Sequence, residues 1–318
     1  MREFNTDQRV YVKTNNSSKK ISLIYTYSLL IIFALTIILY LIFGYQKECV
    51  SLIKNFLVSL LSVGIFTYIV NVIKKKYDFS LIYTDNNILS LVLIISLFSK
   101  TNLVYVVIIA SILPVIVRII NSKRNLSASL YGILFLLIYS IYFANHLYID
   151  SDGYKLLDYL IHPNFISPIL SLLAFIYIFS KKAIKYNIVL AYVLTFFLSI
   201  FLYFIINKND ILDILLVLTI NSPLFLAVYV LSDYMVTPTI METQIIYGTI
   251  MGIISAILYI IIPNLAIVIS SLILPLILTN YLEKISAKLK YNSKLYYLVM
   301  TLCFIFNILA IIVLAVIL

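Results

Sequence analysis

Residues 188–206 read IVLAYVLTFFLSIFLYFII, an apolar stretch of 19 residues that contains no Asp, Glu, Lys or Arg. At about 1.5 Å rise per residue, a helix of this length reaches across most of the ~30 Å hydrocarbon core of a bilayer. Similar stretches recur at 21–43, 245–262 and 295–318, among other places. The recurrence predicts a membrane protein built of spanning helices.

The composition supports the same class. Hydrophobic residues make up 63% of the 318 positions and charged residues only 11%. A soluble domain carries about 25% charged residues, because water must solvate its surface. The net charge of +10 lies in short clusters between the apolar stretches, whereas a nucleic-acid-binding protein gathers its cations on one face or tail. We therefore expect the protein to lie in the lipid bilayer and not to bind nucleic acid.

We predict an all-α, polytopic transmembrane helix bundle with about 11 spans. The third and sixth spans are short, so we expect them to be tilted, extended into the flanking residues or half-spanning. Because the chain has only six Gly, close helix packing is expected to rely on Ser and Ala. The predicted spans lie at 21–43, 55–73, 87–98, 103–120, 127–144, 165–179, 188–206, 211–231, 245–262, 265–281 and 295–318.

The basic residues predict the orientation. With the N-terminus in the cytosol and these spans, 18 of the 23 Lys and Arg fall on the cytosolic side. Cytosolic loops of membrane proteins are enriched in these residues, so the asymmetry supports both the number of spans and a cytosolic N-terminus. We expect a multi-pass protein of the plasma membrane.

One cytosolic connection departs from that pattern. Residues 232–244 contain no Lys or Arg and carry only Asp233 and Glu242 as charged groups. Two interpretations are open: a tight connector folded back into the bundle, or a polar, partly buried functional site. The two histidines, His146 and His162, are isolated in the longest outer loop and do not indicate a metal site. The sequence shows no catalytic signature of a stand-alone enzyme.

The same connection carries a resemblance to a known family. Residues 232–248 read Ser-Asp-Tyr-Met-Val-Thr-Pro-Thr-Ile-Met-Glu-Thr-Gln-Ile-Ile-Tyr-Gly. This resembles the RnfD proteins of the Rnf electron-transport complex and the related NqrB proteins of the Na⁺-translocating NADH:quinone reductase. In that family a Thr-Asp pair, a Ser/Ala-Pro pair and a Gln–aromatic–Gly run follow one another. Here the pairs at 232–233 and 237–238 and the run at 244–248 occupy those places.

The resemblance implies a membrane subunit of a flavin-based electron-transport complex. Such a subunit passes electrons across the membrane towards quinone or an extracytosolic flavoprotein, and ion translocation accompanies this in the family. It implies other membrane subunits and an FMN-binding extracytosolic subunit as partners. If the chain is enzymatic, it is a subunit of an oxidoreductase. The alternatives are a transporter or lipid-handling protein without a redox cofactor, and a structural or assembly subunit.

The resemblance also implies a domain division and a cofactor. Residues 1–20 are expected to form a cytosolic segment, 21–281 the family-like transmembrane domain with ten spans, and 282–318 a basic cytosolic loop with an extra helix. Family members carry FMN on a Thr just before the sixth span, where this chain has Ile166. Ile has no hydroxyl to form the phosphoester, which argues against covalent FMN. Non-covalent riboflavin or FMN remains the expected cofactor. Its expected binding residues, which bring amide, hydroxyl, carboxylate and carbonyl groups to the loop, are Asn221, Ser232, Asp233, Thr237, Pro238 and Thr239.

Overall fold

A computed structural model describes residues 18–73, 86–99, 103–120, 129–139, 167–207, 223–232, 237–261, 281–282, 285 and 293–317. Every regular element within these ranges is helical, which confirms the all-α prediction. The helices are α1 (Ser18–Ile42), α2 (Gln46–Ile73), α3 (Asn86–Phe98), α4 (Val104–Ile120), α5 (Ser129–Tyr139), α6 (Pro168–Ser180), α7 (Tyr186–Ile206), α8 (Pro223–Leu226, continued by a π-helical turn over Ala227–Leu231), α9 (Met241–Ile261) and α10 (Ser293–Ile317).

Five of these helices are long and apolar enough to cross a membrane, namely α1, α2, α7, α9 and α10. They correspond to the first, second, seventh, ninth and last predicted spans. The total of about 11 spans and the cytosolic N-terminus stay predictions. The turn between the ninth and tenth predicted spans, which the tight Pro263-Asn264 connection predicts to form an antiparallel hairpin, lies outside the described residues, as does most of the tenth span.

The turn between α1 and α2 explains why the second helix starts earlier than the apolar pattern indicates. The amide of Tyr45 donates to the Tyr40 carbonyl (2.8 Å) and the amide of Gly44 to the Leu41 carbonyl (3.4 Å). This pair of bonds is a Schellman motif, and Gly44 occupies its left-handed position with φ 81°. The chain therefore reverses within three residues, and α2 begins at Gln46 with its polar first turn exposed.

Helix α3 is short and enclosed. Its 13 residues give a length of about 20 Å, less than the hydrocarbon thickness. Residues 91–97 are all buried, and α3 packs against α1, α2, α4 and α5. A helix that is apolar on every side belongs inside a bundle. Its length therefore does not have to match the bilayer.

The closest helix pair of the described bundle is α7 with α9, and two glycines set its spacing. A Cβ added at Gly248 would lie 2.6 Å from the Ile188 carbonyl oxygen, and one at Gly252 would lie 2.8 Å from the Tyr192 carbonyl oxygen. The expectation that close packing relies on Ser and Ala is therefore wrong for this pair. Small residues one turn apart let two backbones approach, and here the Gly248-x-x-x-Gly252 spacing does so.

Polar side chains join helices at several buried points. The hydroxyls of Ser62 on α2 and Ser111 on α4 lie 2.5 Å apart. On α10, the Asn307 amide donates to the Ser199 hydroxyl of α7 at 2.8 Å. Asn307 is buried although most of α10 is exposed. This contact therefore anchors α10 to the bundle.

Replacing Asn307 with Ala is expected to weaken that anchor. Interhelical hydrogen bonds in membranes contribute about 0.6 kcal/mol on average and up to about 1.7 kcal/mol. We expect a melting temperature in mild detergent that is about 1–5 °C lower. Thr301→Ala is the control, because Thr301 is exposed and its hydroxyl bonds only the Leu298 carbonyl of its own helix. Equal melting temperatures for both variants would contradict the anchoring role.

Candidate functional site: the loop before α9

The segment before the loop ends in a π-helical turn. Pro223 begins α8, a position that suits proline because its missing amide hydrogen has no intrahelical partner there. The chain then widens over Ala227–Leu231, and the Ser232 amide donates to the Ala227 carbonyl at 3.1 Å. Every residue of this turn is buried. Single π turns inside helices occur frequently at functional sites.

Aromatic rings surround this turn. The ring centroids of Phe225 and Tyr229 are 4.7 Å apart. Phe225 also contacts Phe98 of α3 at 5.5 Å, and Tyr229 contacts Tyr25 of α1 edge-on at 5.9 Å. These offset and edge-on arrangements are the favourable ones for aromatic pairs. The π turn is thus fixed between α1 and α3.

Hydroxyl groups complete the contact with α1. The Tyr229 hydroxyl donates to the Ser28 hydroxyl at 2.8 Å. The Ser232 hydroxyl donates to the Val228 carbonyl at 2.5 Å and lies 3.2 Å from the Tyr25 hydroxyl. Ser232 therefore belongs to a hydrogen-bond group that links the end of the π turn to α1.

Lys185 binds the second half of the loop. Its ammonium group donates to the Thr237 hydroxyl at 2.6 Å, to the Thr237 carbonyl at 2.9 Å and to the Pro238 carbonyl at 3.2 Å. Thr237 and Pro238 are both buried. An ammonium group has three N–H donors, and three of its acceptors lie in this part of the loop. Lys185 thereby fixes the loop to the connection between α6 and α7.

Gln244, in the first turns of α9, ties the same loop to the start of that helix. Its side-chain amide donates to the Pro238 carbonyl at 3.1 Å and to the Thr239 carbonyl at 3.2 Å. Asn187 of α7 donates to the Gln244 side-chain oxygen at 3.4 Å. We call Lys185, Asn187, Thr237, Pro238 and Gln244 the Lys185 cluster. The cluster joins two connections that are 52 residues apart in the chain.

The structure brings some of the predicted site residues together. Thr237 and Pro238 share the Lys185 cluster, while Ser232 belongs to the separate hydrogen-bond group with Tyr25. Thr239 is exposed. Asn221, Asp233 and the flavin-acceptor place at Ile166 lie outside the described residues.

Sequence reasoning missed Lys185 and Asn187. The only signal in the sequence was indirect: the connection 232–244 has no Lys or Arg of its own, and Lys185 brings a cation to it from another connection. Within the connection 232–244, the described residues pack back against the bundle, and the polar residue Thr237 is buried. They combine features of both interpretations of the connection.

The apolar helices, the hydroxyl and amide bonds between them, and the enclosed loop define a polytopic α-helical membrane protein. Residues 159–288 match the model of the NQR2, RnfD, RnfE family. This range is less than half of the chain, but it contains Lys185, the π turn and the loop before α9. The match confirms the family resemblance seen in the sequence and is consistent with a divergent member. No curated protein and no solved structure gives a significant match.

Proposed function

We propose that this chain is a membrane subunit of a flavin-dependent electron-transport complex, and that the loop before α9 orders a non-covalent flavin site. The observation that carries the proposal is the overlap of the family match with the Lys185 cluster. Family members are subunits of multi-subunit redox-driven, ion-translocating complexes. Buried polar atoms need hydrogen-bond partners. In the loop before α9, these hydrogen bonds give the chain a defined shape.

The chemistry of the loop fits a flavin in a specific division of roles. Lys185 and Gln244 hold the carbonyls of Thr237 and Pro238, so these two residues shape the loop. The exposed side chain of Thr239, together with Asn221 and Asp233, would provide the direct hydrogen bonds to the flavin. When bound, a flavin supplies the electron-transfer chemistry, and the protein binds and orients it.

Under this proposal the chain works within an assembly in the plasma membrane. It receives electrons from a reductant on the cytosolic side and passes them towards quinone or an extracytosolic flavoprotein. Other membrane subunits and an FMN-binding extracytosolic subunit are the proposed partners. Non-covalent riboflavin or FMN is the proposed cofactor, because the Ile166 side chain offers no hydroxyl for covalent attachment.

The flavin content of the purified protein tests the proposal. We expect the chain from riboflavin-supplied cells that co-express its partners, purified in mild detergent and separated from the FMN-binding subunit, to show flavin absorbance and fluorescence. Acid denaturation should release that flavin completely, because Ile166 cannot hold it. Flavin that stays on the chain would contradict the non-covalent site, and a flavin-free protein would favour a transporter or lipid-handling protein.

A matched pair of variants locates the site within that experiment. Asp233→Asn removes an acid proposed to touch the flavin and should lower the bound flavin per protein. Glu242→Gln removes an acid of the same connection, in the first turn of α9, and should leave the flavin content unchanged. Equal flavin contents in the two variants would place the cofactor elsewhere.

A further inference from the structure

Helix α6 ends in a Schellman motif whose left-handed position is a lysine. The amide of Ala183 donates to the Ile178 carbonyl at 3.2 Å, and the amide of Lys182 donates to the Phe179 carbonyl at 2.9 Å. Lys182 has φ 52°. Ala183 and Ile178, the two positions at which this motif typically has an apolar contact, are both buried. The backbone geometry of this helix end is therefore fully formed.

The C-terminus of α1 shows which residue normally occupies the left-handed position of this motif. The same motif ends α1, and there the left-handed residue is Gly44 with φ 81°. A residue with a Cβ is disfavoured in this region, and glycine avoids that cost. A cation near a helix C-terminus is favoured by the helix dipole, but Lys181, one residue earlier, already provides one without left-handed geometry. The strained lysine indicates a use for its side chain.

The surroundings of Lys182 indicate what that use is. Lys181 and Lys182 are both exposed, and the Lys181 ammonium lies 6.0 Å from the ring centroid of Tyr177. The rings of Phe179 and Tyr186 meet edge-on at 5.4 Å and are also exposed. Only five residues, 181–185, separate α6 from α7. The two lysines and the rings therefore lie together at the ends of two apolar helices.

This combination matches the boundary between lipid and water. Exposed tyrosines at helix ends, such as Tyr186, prefer the level of the lipid headgroups, Phe179 adds an apolar ring beside it, and nearby lysines attract anionic lipids. The third lysine of the connection, Lys185, has a different role, since its ammonium group donates to Thr237 and Pro238. An acidic protein surface would engage the lysines alone, whereas a phospholipid also accounts for the exposed rings of Phe179 and Tyr186.

We propose that Lys181 and Lys182, flanked by the rings of Phe179 and Tyr186, form a binding site for the phosphate of an anionic phospholipid headgroup. The two ammonium groups contact the phosphate oxygens, and the rings pack beside the glycerol and the first acyl carbons. A glycine at position 182 would allow the same left-handed turn but would remove the second ammonium group. Lysine at this position keeps both ammonium groups in the connection between α6 and α7. The site does not depend on whether the protein binds flavin.

Lipid titration of the full chain tests this site. We would measure retained phosphatidylglycerol and phosphatidylcholine by native mass spectrometry from mild detergent. We expect tighter binding of phosphatidylglycerol, with an apparent affinity about fivefold lower in Lys182→Gln and about twentyfold lower in Lys181→Gln/Lys182→Gln. Lys182→Arg should retain the affinity. The matched control is Lys47→Gln/Lys54→Gln, which removes two exposed lysines from α2 and should change it less than about twofold.

The variant Lys182→Gly separates lipid binding from helix ending. Glycine suits the left-handed position, so the melting temperature should not fall, yet the phosphatidylglycerol affinity should drop as in Lys182→Gln. A lower melting temperature with unchanged lipid binding would show that Lys182 serves the helix end, and would overturn the proposal. Equal binding of both phospholipids, or an equal loss in the Lys47 and Lys54 control, would overturn it as well.

Discussion

Replacing Gly252 with alanine is expected to lower the melting temperature of the protein by about 3–10 °C in mild detergent. The added Cβ would overlap the Thr195 hydroxyl and lie 2.8 Å from the Tyr192 carbonyl oxygen. Thr195 can rotate, but the carbonyl belongs to the backbone of α7. The two helices must therefore separate along their closest contact, and overpacking of this kind costs about 1–3 kcal/mol.

Gly64→Ala provides the matched control for that effect. Gly64 lies within α2, and a Cβ added there would meet no atom within 4 Å. Because glycine inside a helix is less stable than alanine by about 0.5–1 kcal/mol, this variant should be neutral or slightly more stable. Thermal-shift measurements on the wild type, Gly252→Ala and Gly64→Ala test both expected effects. Equal shifts would show that α7 and α9 do not depend on close backbone approach.

Lys185→Met is expected to have the second largest effect. Met fills a similar volume but offers no donor, so the Thr237 hydroxyl and the two buried carbonyls lose their ammonium partner. The Pro238 carbonyl keeps its hydrogen bond from Gln244, so losing the ammonium donor costs about 1–2 kcal/mol in total. We expect the melting temperature to fall by about 2–8 °C, and amide hydrogen exchange to accelerate in the segment 237–244.

The control for this variant is Lys181→Met, in the same connection between α6 and α7. Lys181 is exposed, and its contact with the Tyr177 ring is worth about 0.5 kcal/mol at such a site. Exchange in 237–244 should not change. If Lys185→Met left both the melting temperature and the exchange unaltered, Lys185 would not hold the loop. If it unfolded the protein altogether, Lys185→Arg, which keeps the charge and donors, should restore the fold.

The fold class follows from the sequence because apolar stretches long enough to cross a bilayer have few alternatives. The residues at which the helices start were less predictable from the sequence. Apolarity alone placed the start of the second span at Asn55, whereas the Schellman turn at Gly44 sets it at Gln46. The prediction considered only the number of glycines, which is six, and overlooked the spacing of Gly248 and Gly252. A spacing carries more information about packing than a count.

The candidate site was predictable only where local sequence determines it. The family-like run at 232–248 indicated the loop, and Ser232, Thr237 and Pro238 are buried there. The cation that holds Thr237 comes from Lys185, and no local rule connects residues 52 positions apart. In the sequence, Lys181, Lys182 and Lys185 form one cluster that indicates topology. The structure gives Lys185 a buried role and leaves the other two at the surface.

The enclosed position of α3 has a consequence for the biogenesis of the protein. A nascent segment that enters the bilayer alone must satisfy its backbone and match the lipid thickness by itself. With 13 residues α3 is too short to do so. Its buried residues contact α1 and α2, which precede it, and α4 and α5, which follow it. We therefore expect the nascent chain to keep α3 next to its earlier neighbours until the later helices arrive, which would couple membrane insertion to tertiary assembly in this part of the chain.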